Sequence, residues 1–231
     1  MPISSRTALK PRKQPRQERS QVTVDAIFEA AIQVLLAEGL ERLTTIRVAE
    51  RAGVSIGTLY QYYPNKQALL FAVLERHLAR TGEAIGRAAS AVHHTPIETM
   101  VAAVVDALVT VKTGRLDESR ALYAVSTALN FQDLIRESGR KGRAFFAAML
   151  ETATDARFDD IETVAFVFMA ALAGPMRVVI EGETPPRILH GLRRHLKALC
   201  LGYLRQEARP RSRKSPSNAL SPLRTRSKKP E

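Results

Sequence analysis

A chain of 231 residues, 45% hydrophobic and 25% charged, is long enough to bury a full core and too apolar to stay unfolded. Its single cysteine, Cys200, excludes an internal disulfide and fits a reducing compartment. The net charge of +12 points to a polyanionic partner, but the charge is not spread evenly. Residues 1–20 hold six Lys/Arg against Glu18, and residues 205–231 hold nine against Glu207 and Glu231, so the body between them is neutral. Both ends are rich in Pro, Ser and Arg, and they read as disordered arms. Such arms add salt-sensitive, sequence-independent attraction to phosphates. For the carboxy-terminal one, solubility accounts for the charge equally well.

The first twenty residues lack the apolar stretch of a signal peptide. The longest apolar run, Val164 to Met176, contains Gly174 and Pro175 and is too short to span a bilayer. A cytoplasmic protein without a membrane partner is therefore expected.

From residue 21 onward the apolar period is helical. Val24, Ile27, Phe28, Ala31 and Leu35 form one stripe, and Gly39 follows as a stop. A short helix is expected at 45–52, a turn at Gly53, and a second short helix at 56–63. Pro64 suits the first turn of a further helix, which carries Leu69, Leu70, Val73, Leu74 and Leu78 and fades near Gly82. The rest reads as helices at 96–112, 117–130, 132–154, 159–181 and 185–204, with no strand pattern and no repeat.

The helix at 159–181 is apolar on nearly every side, which predicts burial all round. Ala170, Ala171, Ala173 and Gly174 allow close approach of another helix, and Pro175 should kink it. The last helix pairs an apolar stripe from Ile188 to Tyr203 with a basic face. Together these two helices carry more apolar surface than one copy needs, which suggests a dimer interface.

Residues 45–63 hold the most specific pattern. A helix, a glycine turn and a second helix are tied by Ala49, where only a small side chain permits close crossing, and by Val48, Ala52, Val54 and Leu59. This is the arrangement of a helix-turn-helix, whose second helix enters the major groove. Small residues Ser55, Gly57 and Thr58 open that helix. Three of the five tyrosines, Tyr60, Tyr62 and Tyr63, fall inside four residues.

The stretch LTTIRVAERAGVSIGTLYQYYPNKQALL, residues 43–70, resembles the DNA-binding domain of the TetR/AcrR family of bacterial transcriptional regulators. The similarity covers roughly residues 20–72. Tyr63 stands where many relatives have phenylalanine, and Gln67 where glutamate is common. The resemblance implies an all-α protein of about nine helices, with a basic arm at 1–20, a three-helix DNA-binding domain at 21–66, a ligand-binding and dimerisation bundle at 67–204, and a basic tail at 205–231. It implies a homodimer, joined through the helices near 159–181 and 185–204. That dimer binds a palindromic operator in double-stranded DNA and acts as a repressor released by a small molecule.

Carried over by position, the family's pattern has Thr45 binding a phosphate through its hydroxyl and backbone N–H. Ser55, Thr58 and Tyr60 approach the groove. Ile56 meets a thymine methyl, and Gln61 pairs with adenine. Tyr62 and Lys66 clamp phosphates, while Tyr63 points inward. For the effector, Tyr123, Phe131, Phe145, Met149, Phe166 and Met169 supply apolar bodies and Asn130 a polar anchor, which suits an apolar or amphipathic molecule. Ordinary core is the competing account of each.

No nucleophile–base pair stands out, and His190 and His195 are poorly spaced for a metal. An enzyme, a metal site and a cofactor are therefore not expected. A DNA-binding architectural protein without an effector would explain the motif and the arms, but not a bundle of more than a hundred residues.

Overall fold

The computed structural model describes residues 18–210; the side chains of 18 and 19 are not included. Nine helices occupy these residues: α1 (Glu18–Arg42), α2 (Thr45–Ala52), α3 (Ile56–Tyr62), α4 (Lys66–Ser90), α5 (Ile97–Thr113), α6 (Leu116–Ala128), α7 (Gln132–Glu151), α8 (Ile161–Glu181) and α9 (Pro186–Glu207). The all-α expectation holds, and each helix except α4 lies close to its predicted span.

Local chemistry accounts for many of the boundaries. Gly39 breaks helical geometry near the end of α1 with φ 79°. Thr44, Ser55, Asn65 and Asp160 cap α2, α3, α4 and α8, each accepting from the backbone N–H three residues on. Such caps satisfy donors that the first helical turn leaves without partners.

Several expectations need correction. Pro64 lies outside α4, because Asn65 takes the capping position and Lys66 is the first helical residue. The same helix passes Gly82 and runs to Ser90, since its far half packs on α5 and α7. A minimal antiparallel pair joins β1 (Ala156–Arg157) to β2 (Arg209–Pro210), beyond the reach of any two-residue periodicity. Helix α8 continues through Pro175. Residues 18–20 belong to α1, and 205–207 extend α9. The remainder of both predicted arms, residues 1–17 and 211–231, lies outside the described residues.

Buried side chains form two apolar cores. The first joins Ile27 and Ala31 of α1, Val48 and Ala49 of α2, Leu59 of α3 and Leu69 to Leu74 of α4, and it also takes Leu122 and Val125 of α6 and Phe131. The second is built from the far end of α4 with α5, α7, α8 and α9 around Phe168, Met149 and Leu196. Phe146 and Phe168 meet edge to face in it, the geometry favoured by the ring quadrupole.

Helix α8 is not buried all round. Val164, Phe168, Leu172, Met176 and Val179 face the second core, but Phe166 is 51% exposed and Val178 67%. By length and composition α8 could cross a membrane; its core-facing residues place it as a packed helix of the bundle.

Candidate nucleic-acid interface

The turn between α2 and α3 is built by Gly53, whose φ of 67° is left-handed. A side chain there would find open space, so the backbone conformation alone selects glycine. The Gly53 N–H donates to the Glu50 carbonyl and the Val54 N–H to the Ala49 carbonyl, which closes α2 as a Schellman motif. Fully buried Val48 and Leu59 then set α3 across α2. Arg47 pairs with Glu38 and donates to the Arg42 carbonyl, binding α2 to the end of α1. These contacts make α3 rigid on its inner side and open on its outer side.

Ser55, Ile56, Gly57, Tyr60 and Gln61 are exposed along α3. Tyr60, 42% exposed, is held by a hydrogen bond of 3.1 Å between its hydroxyl and Thr45 Oγ1. Ser55 Oγ accepts from the Thr58 N–H at 3.0 Å and shares a 2.8 Å hydrogen bond with the Thr58 hydroxyl. The two side chains fix each other at the start of the helix.

Three predicted phosphate ligands are placed differently from a simple exposed row. Thr45 is buried, its hydroxyl engaged by Tyr60; its position in the first turn of α2 keeps its N–H among the donors without a helical partner. Tyr62 is only 7% exposed and packs in the first core with its ring centroid 6.3 Å from that of Tyr63. The helical period turns position 62 toward α1 and α4, while 60 and 61 turn outward. Lys66 also differs, since Nζ donates to the Leu40 carbonyl at 2.6 Å, a cap on the end of α1 that spacing could not reveal. Tyr63 is core, as expected; it lies 5.9 Å from Phe28 centroid to centroid, and burial pushes its hydroxyl up to about 12.

Ile46, which the sequence analysis did not single out, is also exposed, at 57% in the first turn of α2, beside the capping Thr44. The signal was present: Thr45, Val48 and Ala49 bury one face, and position 46 lies about 100° round the helix from Thr45, outside that face.

The predicted effector residues do not converge on one cavity. Phe131 joins the first core, edge to face with Phe71 at 5.3 Å. Met149 is fully buried in the second core, and Phe145 and Met169 pack against its edge. Phe166 faces outward, and Asn130 sits exposed in a left-handed turn with φ 55°. Helical phase sends these side chains in different directions, which residue type alone did not show. Of these residues, Tyr123 lines a groove of ≈ 600 Å³ between α6 and α8 with Arg120, Ala124, Thr127, Ile180 and Glu181. There the Tyr123 hydroxyl donates to Glu181, whose carboxyl this bond and Arg177 hold below its ordinary range. The Arg177 guanidinium lies 5.8 Å over the Tyr123 ring.

The family model for bacterial regulatory proteins of the tetR family matches residues 27–73, the span that carries this turn and its outward face. A second model, for the tetracyclin repressor-like C-terminal domain, matches residues 96–204. The chain belongs to the TetR family.

Among curated TetR-type relatives, the transcriptional repressor DrrR1 of Streptomyces coeruleorubidus is 42% identical over 65 residues, covering 28% of this chain and 24% of that protein. The repressor KstR of Mycolicibacterium smegmatis is 40% identical over 65 residues, 28% of this chain and 32% of its own length. The nucleoid occlusion factor SlmA of Actinobacillus pleuropneumoniae is 38% identical over 71 residues, 30% and 33% respectively. The chain thus spans about a quarter to a third of these relatives.

Likeness in fold extends further. A TetR-family regulator from Mesorhizobium loti superposes with a TM-score of 0.68 at 20% identity, over 82% of this chain and 98% of that one. A Rhodococcus regulator gives 0.63 at 22% identity, over 80% and 97%.

Proposed function

We infer that this TetR-family chain is a homodimeric transcriptional regulator, a repressor that binds a palindromic operator through α3 and is released by a small molecule. The observation that carries the reading is the outward row of α3. Ile56, Tyr60 and Gln61 are exposed on a helix whose opposite side is locked by Leu59, Tyr62 and the Gly53 turn. An amide and an apolar side chain presented rigidly on one short helix suit base edges in the major groove. The N-termini of α2 and α4 offer backbone N–H groups to the flanking phosphates.

A second copy is the natural cover for α8 and α9. On α8, Phe166, Ala170, Gly174 and Val178 form an exposed row at four-residue intervals. On α9, Ile188, Leu199 and Gly202 are exposed as well. An apolar patch of this kind rarely faces water in a monomer, and a two-fold pair of heads matches a palindrome.

The α6–α8 groove supports the effector role. Its volume lies within the usual range for small-molecule sites, and the Tyr123–Glu181–Arg177 group puts polar chemistry at one side of a mainly apolar lining. An amphipathic molecule suits it. Because α6 also packs on α1, occupancy there bears on the DNA-facing half; a coupling of about 1–3 kcal/mol changes affinity roughly 5–150-fold.

Selection of binding sites from random duplexes, followed by footprinting, tests the reading. A protected palindrome with half-sites about 34–36 Å apart is expected. Recovery of no symmetric site would overturn it, and a protected site insensitive to every amphipathic compound tried would remove the effector.

A further inference from the structure

The groove between α6 and α8 is edged by a cation of the chain's own. Tyr123 of α6 carries the Arg177 guanidinium of α8 over its ring, 5.8 Å from the centroid, and donates its hydroxyl to Glu181. Arg177 Nε donates to the same carboxylate at 2.7 Å. A ring face and a carboxylate thus meet on one guanidinium, the pair of partners that an organic cation seeks. Arg120, the arginine in the lining itself, is engaged elsewhere: Nη2 donates to the Gly182 carbonyl at 2.9 Å, and Nη1 lies 4.0 Å from Asp117. Glu181 and Glu183 both line the groove, so its carboxylates outnumber that arginine. Ala124, Ala128 and Ile180 supply apolar surface beside them.

Arg177 is held only from one side. Its side chain is 66% exposed and that of Glu181 38%, so the two form an exposed pair one turn apart on α8, of the kind that solvent screens and a competitor displaces at little cost. The long stem lets the guanidinium swing into water without moving the helix. An amine or guanidinium entering the groove would meet the ring face that Arg177 covers and the carboxylate that it holds. Its apolar body would lie along Ala124, Ala128 and Ile180. An anionic head would instead face Glu181 and Glu183, with Arg120 already bonded to Gly182.

We propose that the α6–α8 groove is a seat for an amphipathic organic cation and that Arg177 is its built-in competitor: the ligand's cation takes over the Tyr123 ring and the Glu181 carboxylate as the guanidinium swings away. The part such a ligand plays as effector rests on the preceding reading, but occupancy of the seat is measurable without DNA.

The test titrates the full chain by calorimetry with three probes of similar length: phenylbutylammonium, phenylbutanol and phenylbutyrate. The cation should bind most tightly, roughly fivefold better than the alcohol, and should weaken as salt rises. Glu181→Gln should erase that preference and leave the alcohol's affinity unchanged. Tyr123→Leu, which keeps apolar bulk without the ring face, should reduce it. Arg177→Met, which keeps the stem and removes the competing charge, should tighten cation binding about threefold and leave the alcohol unchanged. The alcohol thus reports whether each variant still folds its groove. No binding of the cation, equal affinity for the three probes, a preference for the anion, a cation preference that survives E181Q, or cation binding that fails to tighten in R177M would each overturn the proposal. A cation that binds in this pattern but leaves operator affinity unchanged would count against the effector reading and leave the seat standing.

Discussion

Among the described residues, helices α3 and α8 both leave a face without a partner, and the two faces ask for opposite complements. On α3 the open side is short and mixed, with Ile56, Tyr60 and Gln61 beside small residues, and hydrogen bonds fix Ser55 and Tyr60 from within. On α8 it is long and free of hydrogen-bonding side chains from Phe166 through Ala170 and Gly174. A polar, rigid face on a small helix gains from a surface of donors and acceptors. An apolar row with small residues between its bulky ones gains from close approach of another helix. Exposure alone therefore does not say what a surface meets; its chemistry and spacing do.

The largest expected effect breaks the α8 side of this contrast. Phe166→Glu should weaken self-association by about 2–4 kcal/mol, roughly 30- to 1,000-fold, read by sedimentation velocity across a dilution series. Unchanged association would mean that the α8 row is not the covered face. On the α3 side, Gln61→Ala should cost about 1–3 kcal/mol on the selected site and almost nothing on random DNA. Equal loss on both would make Gln61 a backbone contact.

Lys66→Met sharpens the boundary between fold and interface. Losing the bond to the Leu40 carbonyl should lower stability by about 1–2 kcal/mol, seen in denaturant titration without DNA. If the ammonium leaves Leu40 for a phosphate on binding, the salt slope should also fall by about 1; an unchanged slope would confine Lys66 to capping. The smallest effect belongs to Tyr62→Phe. A core ring without a phosphate contact predicts a change in operator affinity below about 0.5 kcal/mol, and a loss beyond 1 kcal/mol would restore the clamp.

Much of this architecture was legible in the chain because the elements are long, amphipathic helices with nearby stop signals. Gly39 and Gly53 stand at positive φ where the pattern placed breaks, and Ala49 with Val48 and Leu59 fills the small core as expected. The outward side of α3 was legible to the extent that helical phase alone decides exposure, which holds for Ser55, Ile56, Tyr60 and Gln61. The burial of Tyr62 and the Leu40 bond of Lys66 were not legible because their partners come from elements distant in sequence. The effector residues scattered for the same reason. Apolar and sulfur-bearing side chains look alike in a core, on a rim and at a subunit face, and only the packing of α6 against α8 distinguishes them.

Sequence by itself determined the helical class, the glycine turn and the short recognition-like helix, since these depend on periodicity and local backbone preference within a few residues. Tertiary structure decided that α6 shares a core with α1 and α4, and that α8 keeps one side open. It also decided that Glu118 and His77, 41 residues apart, meet across α4 and α6. Those outcomes depend on which helix faces touch. Each face is chosen by the apolar area and charge it meets across the fold, and neither is written in the neighbouring residues.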